Sequence, residues 1–181
     1  MESTSALAGL SPVSWGVLFF LSLYFIAIFW IFVSRLLTLS QWIDRESDAS
    51  DSLIRSGEVS ARSVLIGCSK RSQGTLDVCL HAATKEATKG LTWLSIMAST
   101  SPFLGLFGTV VSILQTFSTM SQQGATSVTQ LAPQISEALI ATAAGIFVAI
   151  FAYAFHMLLK RKAYEVITLV KMQIDFYHKG I

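Results

Sequence analysis

ISEALIATAAGIFVAIFAYAFHMLL, residues 135–159, carries one carboxylate, Glu137, among 25 residues that are otherwise apolar or small. Three basic residues, Lys160, Arg161 and Lys162, close the run. A helix needs ~20 such residues to cross the ~30 Å hydrocarbon core of a bilayer, so this one is long enough. A charged side chain at the centre of a bilayer costs roughly 3 kcal/mol or more on insertion scales, and one nearer the end of a span still prefers water or a polar partner. Glu137 is therefore expected to face a protein interior or a water path, not lipid.

The flanking sequence repeats the pattern. The chain is 52% hydrophobic and only 13% charged, with mean hydropathy +0.59, which excludes an ordinary soluble domain. Residues 3–34, 90–136 and 138–159 carry no charge. Spans are expected at 13–39, 95–120 and 135–159, with the polar stretch SQQGATSVTQLAP between the second and third. The basic residues set the orientation. Arg35 ends the first span, seven more lie between 45 and 89, and five follow residue 159, whereas 1–12 and 121–134 have none. By the positive-inside rule, 1–12 and 121–134 are expected outside, and 40–94 and 160–181 in the cytoplasm. The first span lacks a basic leader and a cleavage pattern, so it reads as an anchor and not as a signal peptide.

The cytoplasmic pieces read as helices. Leu76, Leu80, Ala83, Ala87, Leu91 and Leu94 recur every three or four residues, and the stripe predicts one helix over 72–120. Ala163, Val166, Ile167, Val170, Ile174 and Tyr177 continue the third span in the same way, and this tail is expected to pack on the 72–94 helix. A weaker helix is expected over 41–66, with GCSKRSQG as the turn after it. Cys68 and Cys79 fall on the reducing side and have no zinc-like spacing, so two reduced thiols are expected. Seven basic against seven acidic residues in 40–90 argue against nucleic acid, and orientation and anionic lipid account for the basic tail. No hydrolytic triad, phosphate loop or metal cluster is present in the sequence, so neither an enzyme nor a cofactor is expected.

The three spans are different materials. The first, VSWGVLFFLSLYFIAIFWIFVSRLLTL, is rich in Phe, Trp, Leu and Ile, as suits contact with lipid. The second carries Ser101, Gly105, Gly108, Thr109, Ser112, Thr116 and Thr119; the third carries Ala141, Thr142, Gly145, Ala149 and Ala152. Small residues at this spacing let membrane helices approach closely, and a Ser or Thr hydroxyl can bond to its own helix backbone. Taken together with Glu137, the hydroxyls also describe a polar surface of the kind that lines ion and proton paths. Both readings stand on the sequence.

SPFLGLFGTVVSI (101–113) and APQISEALIATAAGIFVAI (132–150) resemble the two signature helices of the MotA/TolQ/ExbB proton-channel family, especially its TolQ and ExbB members, with a slight lean to TolQ. The resemblance covers 95–157 strongly and the rest in layout. It implies a homopentamer in a bacterial inner membrane, enclosing the single-span helices of two copies of a TolR- or ExbD-like partner whose aspartate takes up protons. It implies that Thr109, Glu137 and Thr142 line the proton pathway, with Ser112, Thr116, Ala141, Gly145 and Ala149 in the pore wall or helix packing. It further implies that proton flow energises a TolA- or TonB-like periplasm-spanning protein. That would serve envelope integrity at division in the first case and outer-membrane uptake in the second.

The expected fold is thus an all-α membrane protein of three transmembrane helices, the second and third reaching far into the cytoplasm, packed as a homopentamer around a central pore. The sequence departs from the family at Gln134, Phe151 and His156-Met157, and Phe151 replaces a proline, which predicts a straighter third span. His156 can be a proton relay or an interface residue. The alternative function is a non-conducting oligomeric scaffold.

Overall fold

A computed structural model describes residues 12–56, 76–123 and 128–179, all helical except the turn at 88–90. The helices are α1 (Pro12–Ser56), α2 (Leu76–Ala87), α3 (Leu91–Gln123) and α4 (Val128–Lys179). Three stretches, Val13–Ser52, Asp77–Ser121 and Ala132–Phe176, are long and apolar enough to cross a membrane. With these three apolar helices among its described residues, the chain is an all-α, multi-pass membrane protein. Both α3 and α4 run into the polar residues of the expected 121–134 connection.

The single helix expected over 72–120 is two. Glycine is the reason. Gly90 takes φ +85°, a left-handed conformation that costs glycine nothing and other residues about 1–2 kcal/mol. Around it the backbone tightens, with Lys89 N donating to Glu86 O at 3.3 Å and Leu91 N to Thr88 O at 3.1 Å. A lysine-bearing last turn followed by glycine is a helix stop signal. Arg35 completes the cap: its guanidinium donates to the Glu86 backbone carbonyl and, at 3.3 Å, to Glu86 Oε1. A cation there gives the Glu86 carbonyl a second donor beside Lys89 N and suits the negative end of the helix dipole.

The residues fall into two compact units. One contains 12–29, 94–123 and 128–154 among the described residues. Its interior is built from small residues, with Ser14, Ser101, Ala138, Ala141 and Ala152 buried beside Leu21 and Ile28. Its exterior is apolar, including Phe19, Phe20, Phe103, Phe107, Leu114 and Ile150. That inversion of small inside and large outside fits a unit solvated by lipid, where close backbone approach does what hydrophobic burial does in water.

The other contains 30–56, 76–93 and 155–179. Here the expected stripes are the core: Ala83, Ala87 and Leu91 are buried with Ala163, Val166, Val170 and Ile174, while Asp77, Lys85, Glu86 and Lys89 are exposed. The tail of α4 also packs on α1, where Gln173 donates to Glu46 Oε2 at 3.0 Å and to Ser50 Oγ at 3.2 Å, all three residues buried. The helix expected over 41–66 is the end of α1 as far as Ser56; 57–66 and the GCSKRSQG turn lie outside the described residues. Cys79 is buried and disulfide-bonded, which overturns the expectation of a reduced thiol there. Whether a cysteine is bonded depends on Cβ proximity in the fold, which its sequence spacing does not report. Cys68 lies outside the described residues.

Candidate functional site

The crossing of α3 and α4 is made by glycine on both sides. A Cβ on Gly145 would lie 2.7 Å from Ser101 O and 2.9 Å from Gly105 Cα; one on Gly105 would lie 2.8 Å from Ala141 O and 3.0 Å from Thr142 Cα. No side chain larger than hydrogen fits either position without moving backbone. Gly108 continues the contact, with Ala141 Cβ 3.1 Å and Val17 Cγ1 3.2 Å from its missing Cβ position. Glu137, Ala141, Gly145 and Ala149 recur at every fourth position of α4; Ala141 and Gly145 are buried within this crossing, while Ala149 is half-buried.

This approach brings Thr109 and Thr142 together. Their hydroxyls hydrogen-bond to each other. Each hydroxyl also reaches Gly105 O at 3.2 Å, and Thr109 Oγ1 lies 3.4 Å from Ala138 O. The pair therefore holds two protons among more than two acceptors. Either hydroxyl can donate to the carbonyl while the other donates to it, and the two arrangements interconvert without moving a heavy atom. Each oxygen keeps lone-pair capacity for a further donor. Both residues are half-buried, so the pair is neither exposed nor sealed.

Other hydroxyls sort by partner. Ser101 bonds Met97 O at 2.6 Å, Thr116 bonds Ser112 O at 2.9 Å and Thr119 bonds Gln115 O at 2.9 Å, each four residues back on its own helix. Ser112, in contrast, meets Ser14 of α1 at 3.0 Å, both buried, so it joins α3 to α1. Ser14 was not singled out by the sequence; a lone serine at the polar edge of a lipid-facing helix carries no periodic signal.

Glu137 is half-buried on α4, five residues before Thr142. At 3.6 residues per turn that separation is about 140° around the helix. The two do not share a face, and the structure joins Thr142 to Thr109 rather than to Glu137.

Phe151, where the family resemblance expects proline, has its ring 5.7 Å from Phe25 in an edge-on arrangement and 4.8 Å from Phe147. Such contacts are worth ~0.5–1.5 kcal/mol each beyond area, and α4 runs unbroken through this position. In the other unit, His156 Nδ1 lies 3.0 Å from Leu91 O. A carbonyl can only accept, so this contact puts the proton on Nδ1 and gives His156 a helix-tethering role.

Residues 45–172 match the model of the MotA/TolQ/ExbB proton channel family. The ExbB-like 1 biopolymer transport protein of Helicobacter pylori is 39% identical over 166 residues, 88% of this chain and 87% of that protein. The biopolymer transport protein ExbB of Neisseria gonorrhoeae is 46% identical over 72 residues, 40% of this chain and 33% of its own. The Tol-Pal system protein TolQ of Haemophilus influenzae is 36% identical over 81 residues, 45% of this chain and 36% of its own.

Proposed function

Because the chain belongs to the MotA/TolQ/ExbB proton channel family, we propose that it is the proton-channel subunit of an inner-membrane motor that uses the proton gradient to energise an outer-membrane process. In this reading five copies enclose the helices of two copies of a TolR- or ExbD-like partner, which brings the titrating carboxylate. The N-terminus is periplasmic and the C-terminus cytoplasmic. An alignment over 88% of the chain to an ExbB-like protein favours the uptake branch over the lean to TolQ that two motifs suggest.

The observation that carries the reading is the Thr109–Thr142 pair. A site that passes protons benefits from groups that accept and donate yet stay neutral, since a fixed charge would have to be desolvated at every cycle. Two hydroxyls whose donor order can reverse meet that requirement. They would solvate the partner's carboxylate in either charge state, donating to the carboxylate and accepting from the acid. Glu137, toward the expected outer end of α4, would face the lumen and attract protons or hold water. A ring of five such carboxylates repels if all are ionised.

Thr142→Val keeps the shape and removes the hydroxyl; Thr142→Ser keeps the hydroxyl. Expected are an intact complex with the partner for both, loss of energised function in Thr142→Val, and substantial function in Thr142→Ser. Glu137→Ala is expected to assemble and to lose energised function. If Thr142→Val cells remain active and a protonophore has no effect either, the chain is a non-conducting scaffold whose glycine crossing serves assembly alone.

A further inference from the structure

Residues flanking two charge boundaries of the sequence line one groove. Lys89 is the last charge before the neutral run 90–136, and Lys160 is the first after the neutral run 138–159. A groove of about 400 Å³ lies where these runs end, walled by Leu91 of α3 and by Met157, Ala163 and Ile167 of α4, with Lys160 and Arg161 on its lining. Ala163 is buried, and both basic residues are exposed. Thr88, in the turn before α3, also borders it.

The combination is specific in its chemistry. An apolar wall at the end of a membrane span suits an acyl chain, and it offers nothing to a soluble phosphate. Two adjacent cations at headgroup level suit a phosphate diester, an ammonium as a point charge and a guanidinium as a two-pronged donor. Anionic lipid is drawn to basic residues at this depth. We propose that this groove seats one anionic phospholipid, its phosphate held by Lys160 and Arg161 and an acyl chain laid along Leu91 and Met157. The proposal rests on α3 and α4 spanning the membrane, not on proton conduction, so the two can fail separately.

The test is native mass spectrometry of the complex, delipidated and then exposed to phosphatidylglycerol or phosphatidylcholine in mixed micelles. Wild type is expected to retain phosphatidylglycerol preferentially. Each basic contact at headgroup level is worth about fivefold, so Lys160→Gln with Arg161→Gln is expected to lower phosphatidylglycerol retention about thirtyfold and leave phosphatidylcholine unchanged. Lys162→Gln with Lys171→Gln removes the same charge from α4 outside the groove and is expected to have little effect. Equal losses in both double variants would reduce the effect to diffuse attraction and overturn the site. So would competition by soluble glycerol phosphate, or a change in subunit number in Lys160→Gln with Arg161→Gln without a change in lipid retention, which would make the groove a contact between copies of the chain.

Discussion

Replacing Gly145 by alanine places a methyl carbon 2.7 Å from the Ser101 carbonyl oxygen, 2.9 Å from Gly105 Cα and 3.1 Å from Gly105 N. Every one of these is backbone, so no side chain can rotate away. Ordinary contact begins at 3.4 Å, and α4 must withdraw from α3 by 3.4 − 2.7 = 0.7 Å. The same displacement carries Thr142 Oγ1 from 3.2 to 3.9 Å from Gly105 O, beyond hydrogen-bond reach. Overpacking costs about 1–3 kcal/mol, and an interhelical hydrogen bond in a membrane averages about 0.6. The total of about 2–4 kcal/mol corresponds to a fall in Tm of roughly 5–15 °C for a chain of this size. The assay is thermal unfolding of the purified complex in detergent, read by its elution profile, alongside proton-dependent activity in cells. Gly16→Ala is the control, since nothing lies within 4 Å of the Cβ it would add. A helical glycine in open space should tolerate alanine or gain slightly. A Gly145→Ala protein with the Tm and activity of wild type would refute the close crossing and, with it, the argument that the crossing sets the threonine pair.

Three further outcomes follow from other contacts. Ser14→Ala and Ser112→Ala should each lower stability by about 0.5–1.5 kcal/mol, and the double variant should cost little more than either single, because both remove the same 3.0 Å bond; additive losses in thermal unfolding would count against the bond. Gly90→Ala should cost about 1–2 kcal/mol from its left-handed φ and should raise amide hydrogen exchange in the turn at 88–90; unchanged exchange would show that the turn is not held in that conformation. Gln173→Leu removes donors from the buried Glu46 and Ser50 and should cost about 1–3 kcal/mol, whereas Glu46→Gln keeps a hydrogen-bonding side chain in place of the carboxylate and should cost less; the reverse order in limited proteolysis would contradict the cluster.

Much of the fold was legible because a bilayer restricts the options. Helix is the economical way to satisfy backbone polar groups in hydrocarbon, so three neutral runs separated by charge already mean three helices. The apolar stripes of α2 and of the end of α4 were legible for the same kind of reason: Ala83, Ala87, Val166 and Val170 repeat at helical spacing and are buried. Gly90 was legible only in part, since a glycine inside a periodic stripe reads as tolerated until its φ is known. Cys79 was not legible, because bonding depends on a partner's position and the expectation was drawn from compartment alone.

Within the site, sequence supplied the residue types and the tertiary structure supplied the pairings. The small and hydroxyl residues of α3 and α4 were visible as a set, but spacing on one helix cannot say which hydroxyl meets which on another. Ser112 and Thr109 lie three residues apart on one helix, and the fold sends one to Ser14 of α1 and the other to Thr142 of α4. Likewise Glu137, Ala141 and Gly145 share a period, yet the crossing buries the last two and leaves the first half-buried. Hydropathy, charge order and signature helices, which are properties of the chain read in one dimension, determined that this is a multi-pass helical member of a proton-channel family. The depth of the α3–α4 crossing, set by glycine meeting backbone, decided which hydroxyls share a proton, because a hydrogen bond forms only when two helices come within about 3 Å of group-to-group contact and no local rule along either helix encodes that distance.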